Sequence, residues 1–167
     1  GMKPRVLKIC AEQLSPIFTV IFNMSLKSCC VPIAWKSSCI VPVPKKSTVT
    51  TMNDLRPVAL TSAVMKVFER LVLCKLQVLV SPFMDPLQFA YRKNRSVDDA
   101  ILFVLHTIYS HLEVPGNYIR LMFFDFSSAF NTIQPHILAG KLLNMNVTSS
   151  TVLWILNYLT DRSQHVR

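Results

Sequence analysis

Ile119–Arg120–Leu121–Met122–Phe123–Phe124–Asp125–Phe126–Ser127–Ser128–Ala129–Phe130 is the stretch on which the reading of this chain turns. It reads as a buried strand running into a carboxylate, followed at once by a small-residue turn able to open a helix. An acid at the end of an apolar strand is expensive to bury unless something compensates it. The two ready compensations are a helix N-terminus and a bound divalent cation. Taken alone, the stretch leaves Asp125 open between capping a short turn over Ser127–Phe130 and ligating a metal.

Outward from that strand, the pattern is helical on both sides with short extended pieces upstream. Apolar residues at 7, 10, 14, 17, 18, 21 and 24 give a helical period from Val6 to about Ser28, and Pro32 closes the region. Ser38 to Val43 is β-branched and short, and it enters an exposed loop through Pro44–Lys45–Lys46. Asn53–Asp54 makes a turn, and Arg56 to Leu60 reads as a second strand whose Pro57 places its start at a sheet edge. Thr61 or Ser62 can cap a helix to about Val80, with Val64, Val67, Phe68, Leu71 and Leu76 on its apolar side. Ser81 to Arg95 is a loop. Ser96–Val97–Asp98–Asp99 opens a helix to His111, with Ser as cap and acids in the first turn. Pro115–Gly116–Asn117 turns the chain into the opening strand, and helices are expected over Pro135–Asn144 and Ser150 to about Leu159.

Composition narrows the function. In 167 residues, 18 Lys and Arg stand against 9 Asp and Glu, a formal charge of +9, and 51% of the chain is apolar. That apolar share suffices for a packed core and argues against wholesale disorder. Between Lys27 and Arg95 lie 11 basic residues and 3 acids, so this segment holds nearly all of the excess. Such a concentration points to a polyanion partner, nucleic acid or nucleotide phosphate. The 5 cysteines show no zinc-type spacing, and an odd number suits a reducing compartment. With no signal peptide and no apolar run long enough to span a bilayer, the expectation is an intracellular protein of nucleus or cytoplasm, not secreted and not in a membrane.

Two acidic features compete for chemistry. Asp98–Asp99 follows a Ser cap directly, and helix-dipole complementation accounts for it better than metal binding. Asp125 is different, because three basic groups precede it on loops or short strands: Lys45–Lys46, Arg56, and Arg92–Lys93–Arg95. Phosphate-holding cations together with a strand-end carboxylate are the ingredients of Mg²⁺-dependent phosphoryl or nucleotidyl transfer.

Asn53-Asp54-Leu55-Arg56-Pro57-Val58-Ala59-Leu60-Thr61-Ser62, then Gln88-Phe89-Ala90-Tyr91-Arg92 with Asn94-Arg95-Ser96, then Phe124-Asp125-Phe126-Ser127-Ser128-Ala129-Phe130-Asn131 resemble successive blocks of the reverse transcriptase of non-LTR (LINE-type) retrotransposons. Their order and spacing match, and the lead-in Pro4–Lys8, the Val41–Lys46 stretch and the tail from Trp154 to Gln164 are similar to the same family. The resemblance implies an α+β fold: a reverse-transcriptase-like fingers region and an incomplete palm, with helices packed on a small, mainly antiparallel sheet. Residues 1–117 would be the N-terminal helix and fingers, and 118–167 a partial palm.

The same resemblance implies roles. Asp125 would be the first metal-binding aspartate, with the backbone carbonyl of Phe126 helping to coordinate the nucleotide-bound Mg²⁺. Phe130 would be the bulky gate beneath the incoming sugar, favouring deoxynucleotides. Arg56, assisted by Lys45 or Lys46, would meet the triphosphate, and Arg92, Lys93 and Arg95 would lie along the template or nucleotide path. Implied partners are an RNA template, a DNA primer and deoxynucleoside triphosphates. The second carboxylate set of the family, an Asp–Asp pair after a Pro–Gln–Gly segment, is absent, so the chain is expected to be an N-terminal fragment that is inactive alone. The alternative is a non-catalytic nucleic-acid-binding module or a decayed retroelement remnant.

Overall fold

The computed structural model describes residues 4–126 and 129–166, with Phe130 and Asn131 described by their backbone alone. Seven helices are described: α1 (Pro4–Ile9), α2 (Ala11–Lys27), α3 (Ile33–Lys36), α4 (Ala63–Val80), α5 (Val97–Leu112), α6 (Pro135–Asn144) and α7 (Ser149–Leu159). Three strands accompany them: β1 (Ser38–Pro44), β2 (Leu55–Leu60) and β3 (Gln164–Val166). The chain forms two compact units, Gly1–Val80 with Gln134–Arg167, and Ser81–Ile133. The mixture of helices with one small sheet is α+β, as expected.

The first unit holds the core. Phe22 of α2, Val64, Met65, Phe68 and Val72 of α4, and Trp154 and Ile155 of α7 are buried together with Val31. Their rings form a run: Phe18 stacks on Phe22 (5.7 Å between centroids), Phe22 on Phe68 (4.2 Å), Phe68 meets Trp154 edge-on (4.9 Å), and Trp154 stacks on Tyr158 (5.7 Å). Aromatic pairs at these spacings add about 0.5–1.5 kcal/mol each beyond their buried area. The indole N–H of Trp154 donates to Ser25 Oγ at 2.9 Å, and Ser25 in turn donates to the Cys30 carbonyl. The side chain of Asn157 accepts from the Val31 amide at 2.8 Å, so α7 is pinned to the α2–α3 turn by both packing and polar contacts.

Helix ends follow local chemistry. Ser62 Oγ accepts from Met65 N at 3.1 Å and caps α4, settling the choice between Thr61 and Ser62. Helix α2 ends in a Schellman turn: Cys30 N donates to Ser25 O and Cys29 N to Leu26 O, with Cys29 at φ 54° where glycine is usual. Helix α6 ends the same way, through Asn146 (φ 60°) and buried Val147. The expected single helix from Val6 to Ser28 is two, broken at Cys10.

The sheet order is β2–β1–β3, with β1 and β2 antiparallel and β1 and β3 parallel. Pro42 sits opposite Pro57 and Pro44 opposite Leu55. Proline has no N–H to give, so these slots must be non-hydrogen-bonded pairs; the bond from Lys45 N to Asp54 O at 2.8 Å fits that alternation. The missing donors of Pro42 and Pro44 therefore face away from β2, toward the β3 side. There β3 pairs with Ser38, Cys39 and Ile40.

The expected strand over Ile119–Phe126 is not formed. Residues 117–126 adopt no regular secondary structure, and Phe123 and Phe124 are 88% and 81% exposed. The reason is the absence of a partner: all three described strands belong to the first unit, and a lone extended segment has no ladder to stabilise it. No described residue of Ser81–Ile133 is buried, so the apolar side chains of this segment and of α5 lie at its surface.

Candidate functional site

The basic hairpin between β1 and β2 is held by one carboxylate. Asp54 ends a short 3₁₀ turn (Met52–Asp54) opened by Thr51. Its Oδ2 accepts from Thr50 N, Thr51 N and Thr50 Oγ1, each at 3.0 Å, and its Oδ1 pairs with Lys46 Nζ at 2.8 Å. The Lys46 ammonium and, after it, the Thr50 and Thr51 amides hold the Asp54 carboxyl well below the usual carboxylate range. Lys45 Nζ donates to the Asn53 carbonyl at 2.7 Å. Both lysines expected at a triphosphate thus spend one contact inside the loop while remaining exposed.

Arg56 lies on β2 opposite Val43 and is exposed. By strand alternation its side chain belongs to the sheet face of Val41, Val43 and Val58. Within the first unit, the structure therefore brings Lys45, Lys46 and Arg56 onto one hairpin. The only salt bridge among the described residues is Lys46–Asp54, so Arg56 has no carboxylate partner there.

In the second unit, a loop before α5 is knotted around Asp85. Its carboxylate accepts from Leu87 N at 2.8 Å, and its carbonyl accepts from Gln88 N at 3.0 Å and from Arg92 Nη1 at 2.8 Å. Arg92 is half-buried and acts here as a brace. Arg95 lies over the Phe89 ring at 5.3 Å, and Phe89 packs on Phe103 of α5 at 6.1 Å between centroids. Lys93 is exposed. Asp99 accepts from Ser96 N and Ser96 Oγ at 2.7 Å while Ser96 Oγ accepts from Asp99 N at 3.1 Å. These Ser96 bonds, the hydroxyl first, lower the Asp99 pKa, and the Asp98–Asp99 pair is a helix start as the sequence indicates.

Asp125 and Phe126 are exposed at the end of the irregular 117–126 segment. The small residues Ser127 and Ser128 that follow lie outside the described residues. The backbone of Phe130 belongs to a 3₁₀ turn, Ala129–Thr132, and its side chain, the expected sugar gate, lies outside them too. Among the described residues no three His, Cys, Asp or Glu side chains gather as a metal site. One exposed carboxylate is a single corner of the bridging set that two-metal chemistry requires, and by itself it does not fit a Mg²⁺ pair.

Three organising residues escape the sequence reading: Asp54, Asp85 and Phe89. Asp54 had a signal, because Thr51–x–x–Asp54 repeats the spacing of the Ser96–x–x–Asp99 capping box. Asp85 had a weaker one, the two-residue spacing to Leu87 N of an Asx turn, and Phe89, which acts through a contact with Phe103, had none.

Residues 43–167 match the sequence profile of the family described as "Reverse transcriptase (RNA-dependent DNA polymerase)". The chain is also 26% identical over 165 residues to the "RNA-directed DNA polymerase from mobile element jockey" of Drosophila melanogaster, covering 97% of this chain. It spans 18% of that relative's length. No described helix is long and apolar enough to cross a membrane.

Proposed function

The chain belongs to the reverse transcriptase (RNA-dependent DNA polymerase) family, and from that premise we propose that it forms the fingers and the opening of the palm of a LINE-type RNA-directed DNA polymerase. Residues 1–117 act as fingers and 118–167 as the start of the palm. Lys45, Lys46 and Arg56 meet the phosphates of an incoming deoxynucleotide, and Arg92, Lys93 and Arg95 follow a template strand. Phe130 serves as the sugar gate, and Asp125 with the Phe126 carbonyl forms one side of a divalent-cation site. The observation that carries the reading is the Asp54-braced hairpin, which fixes two lysines beside Arg56 in a chain of this family.

A phosphate arriving at this hairpin competes with Asp54 for Lys46 and with a neutral carbonyl for Lys45. The Lys45 exchange favours the phosphate, since an ammonium gains more from a phosphate than from an amide carbonyl, while Lys46 can keep Asp54 and offer its other N–H groups. Catalysis by the chain alone is a different matter. With one carboxylate and no second acid beside it among the described residues, the chain binds nucleic acid and does not polymerise.

The test is binding of a labelled single-stranded RNA by the purified chain across a salt series. Log affinity should fall linearly with log salt, by about 0.7 per phosphate contacted. Replacing Lys45, Lys46 and Arg56 together by alanine should flatten that slope by about 2. Binding that does not depend on salt, or a slope untouched by the triple variant, overturns the assignment of this hairpin.

A further inference from the structure

The Asp85 loop presents one residue that no role above uses. Tyr91 is 86% exposed, and its backbone sits in the left-handed region at φ 59°. Non-glycine residues there carry a strain of about 1–3 kcal/mol, which persists only where the surroundings impose it. What imposes it is visible. Gln88 Nε2 donates to the Ala90 carbonyl at 3.2 Å on one side, and Arg92 is tied to the Asp85 carbonyl at 2.8 Å on the other. Asn94, also left-handed at φ 58°, bends the chain again three residues on. Tyr91 is thus an aromatic ring held at the surface by a braced loop, with cationic side chains at 92, 93 and 95 following it.

A surface tyrosine of this kind has a bland explanation: a solvated ring on a turn. Two features weigh against it. Glycine or asparagine would occupy the left-handed position at less cost. The cations beside it are also arranged rather than scattered, Arg92 fixed as a brace and Arg95 laid over Phe89. An exposed ring on a fixed backbone flanked by cations is the chemistry that binds unpaired bases: the ring stacks on the base and the cations hold the adjoining phosphates.

Building on the polymerase reading, we propose that Tyr91 is a stacking platform for one unpaired base of a single-stranded nucleic acid, positioned by the Asp85 loop. Stacking reads the face of a base and is indifferent to its identity. The contact therefore holds register along a strand without selecting sequence.

The experiment compares wild type, Tyr91→Ala and Tyr91→Trp for binding to an oligothymidine strand, its abasic counterpart with the same phosphates, and an oligouridine strand. Alanine keeps the Cβ and hence the backbone constraint, so the comparison isolates the ring. Tyr91→Ala should weaken oligothymidine binding about 5- to 150-fold, while Tyr91→Trp keeps it. The loss should vanish on the abasic strand and recur on oligouridine, with the salt slope unchanged in every variant. Affinity unaltered by Tyr91→Ala overturns the proposal while leaving the polymerase reading intact. An equal loss on the abasic strand, or a loss confined to one sugar type, moves the contact off the base and also overturns it. Failure of the wild-type chain to bind any strand sinks the polymerase reading itself.

Discussion

Removing one oxygen from Ser25 should destabilise the first unit by roughly 2 kcal/mol. Ser25 Oγ accepts from Trp154 Nε1 at 2.9 Å and donates to the Cys30 carbonyl, and Trp154 is only 2% exposed. Ser25→Ala leaves the indole N–H without an acceptor where water does not reach. An ordinary hydrogen bond contributes about 1 kcal/mol net, and a buried orphan donor costs about 1–3 kcal/mol. Alanine in α2 returns about 0.5 kcal/mol through its better helix propensity. The orphaned donor is the larger effect. In a Trp154→Phe background there is no indole to strand, so Ser25→Ala should cost at most about 1 kcal/mol. The double-mutant cycle should accordingly show a coupling of about 1–2 kcal/mol. Urea unfolding followed by circular dichroism reads this as a shifted midpoint at constant slope. A Ser25→Ala variant within about 0.5 kcal/mol of wild type, or an additive cycle, would refute the argument.

Three further outcomes are expected. Cys29→Gly should stabilise the chain by about 1 kcal/mol, because glycine adopts the left-handed position at the end of α2 without strain; a lower urea midpoint counts against the Schellman assignment. Burial, and then the Glu69 carboxylate 2.6 Å away, push the Tyr158 hydroxyl up to about 12. Since the unfolded chain gives up that proton near pH 10 while the folded one keeps it, the contribution is complete below about pH 10 and is lost as pH rises toward 12. A tyrosinate titration in which Tyr158→Phe removes the latest-ionising group checks this, and a variant with an unchanged titration contradicts it. Finally, Phe123→Lys should reduce self-association measured by light scattering, because a charge interrupts the exposed apolar run from Leu121 to Phe124. Scattering equal to wild type would clear this segment as the cause.

What the sequence could disclose was set by the range of the forces involved. Helix α5 was readable because its cap, Ser96 with Asp99, lies three residues apart in the chain, and α4 because Ser62 sits beside the amide it caps. Pro57 correctly placed β2 at an edge, since a missing donor is a property of the residue itself. Strands are less local. Gln164–Val166 carries no strong strand signal and becomes β3 only because Ser38–Ile40 offers an open ladder. Ile119–Phe126 carries a strong signal and forms no strand because no described segment pairs with it. At the candidate site the exposed cations could be named from charge alone. Their internal partners, Asp54 for Lys46 and the Asp85 carbonyl for Arg92, depend on loop closure that composition does not encode.

Primer extension on a primed RNA template, with Mg²⁺ and deoxynucleotides, measures most directly whether this chain, with Asp125 as its one acid at the site, binds nucleic acid without polymerising. The chain is expected to retain the primed template and to give no extended product above that of its Asp125→Asn variant. Nucleotides added by the wild-type chain and not by the variant would show that its own residues complete the chemistry, and would contradict the account.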